Sequence, residues 1–394
     1  MPNQSTNNEV NAIILAAGQG TRMNSSVSKV LHEVGNKTLI QHVIDAAMPL
    51  ASFINVIIGH NSESVKKSTQ SNLIKWVLQK NQLGTGHAVM QAFPNIKKDS
   101  MCLILYGDVP LIQTQTLLKL LEKANKTGFS LLTVIANDPS GYGRIIRDSS
   151  KSIQSIIEHK DANTEELEID EVNTGIMAIT GALLTKYLNQ LEPNNSQGEL
   201  YLTDIVEKAA EDNVTIASFI CENSAEVMGI NDKNNLAKAE RAYQLKIADE
   251  LMKDGLTIKD PSRFDCRGNL IFGNDCIIDV NVVFEGEVQL GKNVLISPNC
   301  IIKNSKIGDN ANIMPNSIIE DSVIGSHANI GPFARIRPET KIGNHAKIGN
   351  FVEVKKSTIG DNSKVSHLSY IGDSQVGKSA NIGAGVITLS IIPI

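Results

Sequence analysis

A branched aliphatic residue recurs at every sixth position in the C-terminal part of the chain, and small or polar residues fill the positions between. The series is Ile324, Ile330, Ile336, Ile342, Ile348 and Val354. An α-helix turns once in about 3.6 residues and has no face with a period of six. Six residues that form one short strand and one corner instead make one side of a triangular coil, with the aliphatic side chain inside. The pattern predicts a left-handed parallel β-helix of hexapeptide repeats, in which three hexads close one coil.

The repeat extends in both directions with small irregularities. It continues at Ile359, Val365, Ile371, Val376 and Ile382, and upstream it includes Ile307 and Ile313, with looser versions back to about Ile271. Some steps in the downstream series span five residues, and we interpret them as bulged or looped corners. An all-β sandwich is disfavoured, because its strands alternate with a period of two and are separated by turns about every 8–12 residues. Repeated flat faces also favour a homotrimer.

The N-terminal two-thirds shows short apolar runs separated by helical stretches. The runs are Ala12–Ala16, Val56–Ile58, Cys102–Tyr106 and Leu131–Val134. This alternation predicts a Rossmann-like, doubly wound α/β sheet. Between the first two runs, apolar residues at helical spacing follow Thr38, a suitable N-cap. A long helix is predicted over Asn235–Asp254, because apolar residues share one face and Gly255 follows.

The chain has 394 residues, which is too long for one ordinary core. We therefore predict an α/β domain over residues 1–233, a linker helix over 234–254 and a β-helix domain over 255–394. Lys plus Arg number 37 against 42 Asp plus Glu, and the net charge of −5 gives no basic footprint for nucleic acid. No apolar run is long enough to cross a membrane, and the first ten residues lack the features of a signal peptide, so a cytoplasmic protein is expected. The five cysteines are widely spaced and are expected to be buried, reduced thiols.

The first apolar run leads directly into a glycine-rich segment, Leu15-Ala16-Ala17-Gly18-Gln19-Gly20-Thr21-Arg22-Met23, and Lys29 follows. Small residues let the backbone approach a ligand, successive N–H groups can face an anion, and Arg22 and Lys29 supply positive charge. The segment matches neither a GxGxxG fingerprint nor a Walker A sequence. A glycine-rich turn alone can be purely structural, but the neighbouring cations favour a nucleotide phosphate loop.

The run Cys102–Tyr106, third in the series, is followed by Gly107-Asp108-Val109-Pro110. In an open α/β sheet the ligand crevice lies beyond the carboxyl ends of the strands, so Asp108 is expected to point into it. A carboxylate beside nucleotide phosphates is a natural Mg²⁺ ligand. The alternative is a turn or N-cap aspartate ahead of Pro110.

Several motifs along the chain resemble those of one enzyme family. In order they are LAAGQGTRM, Lys29, QLGTGHA, YGDVP, GYGRI, EHKDA, EVNTGI and GIN, followed by the hexapeptide repeats. Together they resemble the bacterial bifunctional N-acetylglucosamine-1-phosphate uridyltransferases and glucosamine-1-phosphate N-acetyltransferases, over nearly the whole chain up to Thr388. The first motif and YGDVP alone would indicate only a sugar-nucleotide pyrophosphorylase. EHKDA and the β-helix narrow the resemblance to this family.

The resemblance implies two activities in one chain. The first is Mg²⁺-dependent transfer of uridylyl from UTP to N-acetylglucosamine-1-phosphate, which gives pyrophosphate and UDP-N-acetylglucosamine for peptidoglycan and lipopolysaccharide precursors. The second is transfer of an acetyl group from acetyl-CoA to glucosamine-1-phosphate. Two alternatives stay open at the level of sequence: a single-function hexose-1-phosphate nucleotidyltransferase with a structural β-helix, and a non-enzymatic trimeric scaffold with a nucleotide sensor.

For uridylyl transfer, the resemblance also implies the site residues. The uridine contacts fall on Leu15, Ala16, Ala17, Gly18, Gln79, Gly84 and Thr85. Arg22 and Lys29 would hold the triphosphate, and Asp108 and Asn231 would hold Mg²⁺. The sugar-phosphate contacts match Tyr106, Gly143, Glu158 and Asn173. The family usually has proline before the lysine, where this chain has Ser28, and we expect a looser loop because the fixed φ of proline is lost.

For acetyl transfer, the resemblance implies Arg337 and Lys355 as phosphate ligands, His367 as the general base, and Tyr370 and Asn381 as further substrate contacts. Without the resemblance, exposed lysines on a solenoid indicate a solvated face, and His367 is an ordinary surface histidine. The segment from His367 to Tyr370 is interpreted as a loop that interrupts the hexads.

After Thr388 the chain reads Leu389-Ser390-Ile391-Ile392-Pro393-Ile394, where the family continues with further coils. The expectation from sequence is that uridylyl transfer is retained and acetyl transfer is impaired.

Overall fold

The computed structural model describes residues 9–18, 20–59, 62–69 and 73–389. The chain divides into two compact units, Met1–Ala239 and Glu240–Ile394. The domain boundaries expected at residues 233 and 254 remain a prediction, and the tail expected to end the solenoid, 390–394, lies outside the described residues. Among the described residues, none of the helices is long and apolar enough to cross a membrane.

The first unit is an α/β layer structure. Its strands are β1 (Val10–Ala16), β2 (Glu33–Val34), β3 (Lys37–Thr38), β4 (Phe53–Ile58), β5 (Ile74–Leu78), β6 (Met101–Tyr106), β7 (Phe129–Ile135), β8 (Arg144–Arg147), β9 (Ile153–Ile157), β10 (Glu171–Thr180) and β11 (Ile216–Ile220). Its helices are α1 (Leu39–Ala47), α2 (Ser62–Ser68), α3 (Thr85–Met90), α4 (Thr114–Thr127), α5 (Thr164–Leu167), α6 (Gly181–Leu188) and α7 (Asp204–Glu211). Short 3-10 turns lie at Thr21–Met23, Lys29–Leu31, Phe93–Asn95 and Ser224–Val227.

The main sheet has the strand order β11-β7-β10-β6-β1-β4-β5. Alternate residues of β1 enter two different cores: Ala12 and Ile14 pack with α1 and α4, and Ile13 packs with α3, α6 and α7. A strand buried on both faces needs an uninterrupted apolar run, which is the pattern that the sequence shows. The predicted doubly wound sheet is confirmed, and Thr38 caps α1 by accepting a hydrogen bond from the Gln41 N–H.

The main sheet has more strands than the four apolar runs predicted. β5 pairs in parallel with β4 and precedes β6 in the chain. The sequence predicted that Asp108 follows the third strand of the sheet, and this extra strand makes that prediction wrong. β10 is antiparallel to both β6 and β7, and the hairpin β8–β9 is attached to β10. The strands β8 and β9 were missed because they mix apolar with charged and polar residues. They carry the sugar-side motifs GYGRI and EHKDA at their ends.

The second unit is a parallel β-helix, left-handed as predicted. Its strands are β12 (Thr257–Ile258), β13 (Phe264–Ile271), β14 (Ile277–Ile278), β15 (Val282–Leu290), β16 (Leu295–Ile296), β17 (Ile301–Lys303), β18 (Lys306–Ile307), β19 (Asn312–Ile313), β20 (Ile318–Glu320), β21 (Val323–Ile324), β22 (Asn329–Ile330), β23 (Arg335–Ile336), β24 (Lys341–Ile342), β25 (Lys347–Lys355), β26 (Thr358–Ile359), β27 (Lys364–Gly372), β28 (Gln375–Val376), β29 (Asn381–Ile382) and β30 (Ile387–Thr388).

Strand register confirms that three hexads close one coil. Ile330 pairs with Ile348, eighteen residues along the chain, and Ile348 pairs with Val365, seventeen residues along. All three side chains are fully buried in one continuous apolar core. The helix α8 (Lys233–Lys253) begins before Glu240 and continues into this unit, where its residue Ala248 packs into the same core.

The five-residue steps are tight corners, not the bulged or looped corners expected from sequence. At each such corner a serine replaces one residue of the hexad and its hydroxyl donates to the carbonyl two residues earlier. The pairs are Ser305 to Lys303, Ser322 to Glu320, Ser357 to Lys355 and Ser374 to Gly372, at 2.5–2.7 Å. A hydrogen bond across the corner lets the coil close with one residue fewer.

The upstream limit of the repeat is also corrected. The coils begin at β12, and Leu270 is the residue that faces the core, whereas Ile271 is 55% exposed. Neighbouring side chains on a strand face opposite directions, so a one-residue error in register exchanges inside for outside. All five cysteines are free and buried, as expected.

Candidate active site

A cavity of about 450 Å³ lies at the carboxyl end of β1 and β6 in the α/β unit. Of the sequence-predicted residues it is lined by Leu15, Ala16, Ala17, Gly18, Arg22, Lys29, Gln79, Gly84, Thr85, Tyr106, Asp108 and Asn231. β1 lies between β4 and β6 in the sheet, so the loop after it opens into the crevice of an open α/β sheet. Sequence positions more than 200 apart therefore meet in one concave site.

The uridine side of the cavity is built from β5 and the start of α3. Gln79 follows β5, is almost fully buried, and its amide donates to the carbonyl of Gly84 at 3.3 Å. Gly84 has φ +108°, and a Cβ there would lie 2.5 Å from the carbonyl oxygen of Leu200. Only glycine is accommodated at this position, because the left-handed backbone and the close approach both exclude a side chain. The predicted residues Gln79, Gly84 and Thr85 thus form one rigid wall.

The phosphate side holds the two predicted cations. Arg22 is exposed, lies in the turn Thr21–Met23, and has no ion pair within the part of the chain that the structure describes. Lys29 is largely buried, forms an ion pair with Asp108, and donates to the amide oxygen of Asn231 at 2.9 Å. The two predicted metal ligands therefore face the same point in the cavity.

A backbone contact explains why Asn231 lies beside Asp108. The N–H of Ile230 donates to the carbonyl of Asp108 at 2.9 Å, which holds the GIN segment against the end of β6. The N–H of Asn231 itself contacts the side chain of Asn235 at 3.4 Å, at the start of α8. These two hydrogen bonds thus hold the segment that carries Asn231.

The donor set at this point fits Mg²⁺. One carboxylate and one amide oxygen lie within hydrogen-bonding reach of a single position beside the phosphate loop. Mg²⁺ keeps several waters and substrate oxygens and needs only one or two protein oxygens. Across the described residues, no group of three His, Cys, Asp or Glu side chains forms an all-protein metal site. Asp108 and Asn231 would therefore hold the ion together with nucleotide phosphates.

The predicted sugar contacts lie beyond Tyr106. Gly143, Glu158 and Asn173 are outside the lining of the cavity, but they adjoin one another: the N–H of Asn173 donates to the carbonyl of Gly143 at 2.8 Å. Burial raises the pKa of the Glu158 carboxyl, which accepts a hydrogen bond from Thr203 at 3.1 Å. Burial, with the nearby Glu158 carboxylate, also raises the pKa of Tyr106. Of these four residues, Tyr106 lines the cavity, and Gly143 and Asn173 are buried.

Several lining residues were not singled out from the sequence. They include Gln82, Tyr142, Thr174, Glu199 and Gly229. Four of them lie within the motifs QLGTGHA, GYGRI, EVNTGI and GIN. The sequence therefore pointed to these segments but not to the individual residues. Glu199 lies in a connecting loop and has no sequence signal, since only the fold brings it to the cavity.

Part of the predicted acetyltransferase site comes together on the β-helix. Arg337 forms an ion pair with Glu353 at 2.7 Å, and Glu353 is paired in register with Tyr370 on the next coil. The Glu353 carboxylate raises the pKa of Arg337, so the guanidinium stays charged. Lys355 lies on the same strand as Glu353 and, within the described chain, has no ion pair. Two cationic side chains, Arg337 and Lys355, and the Glu353 carboxylate therefore stand on neighbouring coils.

His367 does not lie in an inserted loop, as expected from sequence. It belongs to β27, which pairs with β25 residue for residue, with His367 opposite Asn350. The hexad from Val365 to Ile371 is uninterrupted, and only Leu368 takes a left-handed backbone, φ +51°. Asn381 lies above Lys364 on the next coil and not above His367. Both His367 and Asn381 are exposed.

Comparison with known proteins gives matches in both units of the chain. The MobA-like NTP transferase domain matches residues 12–166, and the GMPPB C-terminal domain matches residues 266–338 and 326–391. A solved structure of UDP-glucose pyrophosphorylase complexed with UDP-glucose aligns with a TM-score of 0.49 and 19% identity, over 60% of this chain and 99% of that chain. A likeness at that level does not bear on function.

Curated relatives are much more similar. The bifunctional protein GlmU of Ruthia magnifica subsp. Calyptogena magnifica is 55% identical over 379 residues, 96% of this chain and 84% of that protein. GlmU of Vesicomyosocius okutanii subsp. Calyptogena okutanii is 56% identical over 97% of this chain and 85% of that protein. GlmU of Idiomarina loihiensis is 50% identical over 96% of this chain and 84% of that protein. The chain therefore belongs to the GlmU family of bifunctional enzymes, the family whose motifs its sequence resembles.

Proposed function

We propose that the α/β unit transfers uridylyl from UTP to N-acetylglucosamine-1-phosphate with Mg²⁺, releasing pyrophosphate and UDP-N-acetylglucosamine. The observation that carries the proposal is the convergence of Asp108, Asn231 and Lys29 on one point beside the glycine-rich loop. Membership of a family of bifunctional enzymes favours this function over a single-function nucleotidyltransferase and over a non-enzymatic scaffold.

In this mechanism the α-phosphorus of UTP gains a bond to a phosphate oxygen of the sugar phosphate and loses its bond to pyrophosphate. No protein nucleophile is required, because the acceptor oxygen is already anionic. Such reactions depend mainly on positioning and charge. Arg22 and Lys29 offset the charge that builds up on the leaving pyrophosphate. Bound Mg²⁺ supplies positive charge beside the phosphoryl oxygens, and Asp108 with Asn231 would hold it.

The remaining contacts are proposed to provide specificity. The wall of Gln79, Gly84 and Thr85 would hold uracil, because backbone and amide groups can match its polar edge. Tyr106, Gly143, Glu158 and Asn173 would hold the N-acetylated sugar. The enclosed position of this group supports discrimination, since a buried polar site left unpaired disfavours a sugar that lacks its partner group.

A direct assay tests this function. Pyrophosphate release is measured with UTP and N-acetylglucosamine-1-phosphate, and in parallel with ATP or dTTP and glucose-1-phosphate. The proposal expects turnover with the first pair, strict dependence on a divalent cation, and little turnover with the others. Equal turnover with glucose-1-phosphate and dTTP would favour the single-function alternative.

We also propose that the β-helix transfers the acetyl group of acetyl-CoA to glucosamine-1-phosphate. Arg337, Lys355 and Tyr370 would bind the sugar phosphate, with Asn381 as a further contact. His367 would accept a proton from the sugar amine as it attacks the thioester, because an imidazole nitrogen is a suitable general base. Within the described residues the His367 ring has no hydrogen-bond partner, which leaves it available. Loss of free amine on addition of acetyl-CoA, absent in His367→Ala, is the test. The impaired rate expected from the sequence stays a prediction, which the same assay measures.

A homotrimer formed through the β-helix is part of the proposal. Phe333, Phe351 and Leu368 form an apolar ridge on successive coils at one corner, and they are 49%, 57% and 61% exposed. The two phenylalanine rings stack with centroids 5.3 Å apart. Contiguous exposed apolar side chains of this kind are typical of association surfaces. We expect light scattering to give the mass of three copies for the wild type and a smaller mass for Phe351→Ser. A monomeric wild type would contradict the trimer.

A cytoplasmic location is likewise proposed, because UTP and acetyl-CoA are cytoplasmic metabolites.

A further inference from the structure

The ammonium group of Lys29 occupies the point between the two proposed metal ligands. It forms an ion pair with Asp108 and donates to Asn231 at 2.9 Å, and the side chains of Lys29 and Asp108 are only 15% and 16% exposed. Both contacts are made by the same atom, Nζ. The lysine therefore neutralises the carboxylate and satisfies the amide oxygen without any metal.

A metal ion and this ammonium cannot use the two oxygens together. A Mg²⁺ ion held by both oxygens would lie about 2.0–2.1 Å from each of them. Nζ of Lys29 now contacts the same two oxygens, so the ion and the ammonium would lie very close together. Two cations that close repel strongly in a cavity with limited water. Metal binding to Asp108 and Asn231 thus requires Nζ to leave.

The stem of Lys29 lies beside the glycine-rich phosphate loop. The Cβ of Lys29 packs against the phosphate loop: a Cβ added to Gly20, whose φ is +62°, would lie 2.6 Å from it. The stem is therefore held beside the loop while the flexible four-carbon chain lets Nζ swing. Phosphate oxygens of a nucleotide bound at the loop would replace Asp108 as its partner. Arg22 in the same loop makes no such contact with Asp108 or Asn231 in the described structure.

We propose that Lys29 closes the metal site until a nucleotide arrives, so that metal and nucleotide binding favour each other. The inference rests on the proposed uridylyl transfer and adds an order to it: metal binding is weak in the free enzyme because Lys29 competes for Asp108 and Asn231. The nucleotide draws the ammonium to its phosphates and frees both oxygens. Coupling of this kind is reciprocal, so the metal also strengthens nucleotide binding.

The test is a titration of the full chain with Mn²⁺ alone, without nucleotide, followed by electron paramagnetic resonance of the free ion. Mn²⁺ prefers the same oxygen ligands and octahedral geometry as Mg²⁺. Lys29→Met is expected to bind Mn²⁺ about tenfold or more tightly than the wild type, since a charge-assisted competitor is removed. Lys29→Gln serves as a second variant should Lys29→Met not fold, which circular dichroism reports.

The matched control is Arg22→Met, which removes the same charge from the same cavity without removing a contact to Asp108. It should leave Mn²⁺ affinity within about twofold of the wild type, because screening limits the effect of a more distant exposed charge. The double variant Lys29→Met with Asp108→Asn should lose the gain, which assigns it to this carboxylate. Unchanged Mn²⁺ affinity in Lys29→Met, or an equal gain in Arg22→Met, would overturn the inference.

Failure of the inference is distinguishable from failure of the proposed function. If the lysine variants bind Mn²⁺ like the wild type while the wild type still makes UDP-N-acetylglucosamine, competition is wrong and uridylyl transfer stands. If the wild type makes no UDP-N-acetylglucosamine, the function is wrong, whereas a tighter Mn²⁺ site in Lys29→Met would still support competition at Asp108.

Discussion

The α/β unit and the β-helix place their candidate residues in opposite ways. In the α/β unit, Lys29, Asp108 and Asn231 come from distant, aperiodic positions and contact one another in a cavity. On the β-helix, Arg337 is half-buried and His367 is exposed, and both stand at positions of a periodic frame. A sheet with crossover connections gathers distant strand ends at one edge, while a solenoid keeps sequence neighbours as neighbours in space. The first unit thus tends to enclose a site, and the second tends to display one.

A large effect that separates the two units is expected from Lys29→Met. Uridylyl transfer should fall by about 10²–10³-fold, because one preorganised positive group facing the phosphates is lost. The free energy of unfolding should fall as well, by about 1–3 kcal/mol, because Asp108 is left without its charged partner at a largely buried position. Acetyl transfer should be the same as in the wild type. Parallel steady-state assays of both activities provide the measurement, and equal losses in both would remove the distinction between the units.

Ile348→Ala is the converse change. Ile348 is fully buried between Ile330 and Val365 on adjacent coils, so truncation leaves a cavity and should destabilise the β-helix by about 2–5 kcal/mol. Denaturant unfolding gives the value, with the exposed neighbour Lys347→Ala as a matched control that should change stability by less than about 0.5 kcal/mol. Uridylyl transfer measured below the transition should persist. A stability loss equal to that of Lys347→Ala would contradict the buried periodic core.

Asp204→Asn tests electrostatics near the sugar side. Burial, with Glu207 and Glu158 nearby, raises the pKa of Asp204 to about 6 from an ordinary value of 3.8. Because the folded-state pKa is the higher one, the stabilising contribution of this carboxyl is complete below about pH 4 and is lost as pH rises through about 6. Asparagine should therefore stabilise the unit at pH 8 by about 1 kcal/mol, and by less at pH 5. This value is small because Asp204 is partly exposed and because asparagine removes a negative charge from the first turn of α7.

Thermal unfolding at the two pH values gives this comparison. Glu211→Gln, at the exposed other end of α7, is the control and should show no gain at pH 8. A gain for Asp204→Asn that is larger at pH 5 than at pH 8 would mean that the carboxylate, and not the neutral acid, is the form that the fold favours.

The smallest effect is expected from Ser28→Pro. Ser28 has φ −53°, within the range of proline, and in the described part of the chain its N–H has no hydrogen-bond partner. Proline should stabilise the loop by about 0.4–1 kcal/mol by reducing the freedom of the unfolded chain. A less mobile Lys29 should also bind UTP a few-fold more tightly. Titration calorimetry checks this, and equal affinities would contradict the looser loop expected from the sequence.

Sequence reasoning predicted the parts of the fold that are periodic or lie at strand ends. Ile348 follows from the hexad rhythm alone, and Asp108 follows from its place after an apolar run. Asn231 has no such signal and was reached only through the family motif GIN, because its meeting with Asp108 depends on the backbone contact of Ile230. Glu199 was missed for the same reason: tertiary structure alone brings its loop to the cavity.

The errors in the β-helix have a different origin. Five-residue steps were interpreted as bulges or loops, since the sequence does not show that Ser357 closes its corner through the carbonyl of Lys355. The segment around His367 was interpreted as a loop because its polar residues hide an unbroken spacing from Val365 to Ile371. In both cases polar side chains at a corner of the coil led to the prediction of a loop or bulge where the backbone continues as a regular coil.

The most direct test of the metal and phosphate centre is pyrophosphate release from UTP and N-acetylglucosamine-1-phosphate by Asp108→Asn at saturating Mg²⁺. Asparagine keeps the shape of the side chain and removes the charge that both Mg²⁺ and Lys29 require. We predict a loss of about a thousandfold or more with the melting temperature within a few degrees of the wild type. Turnover within about tenfold of the wild type would contradict the assignment of Asp108.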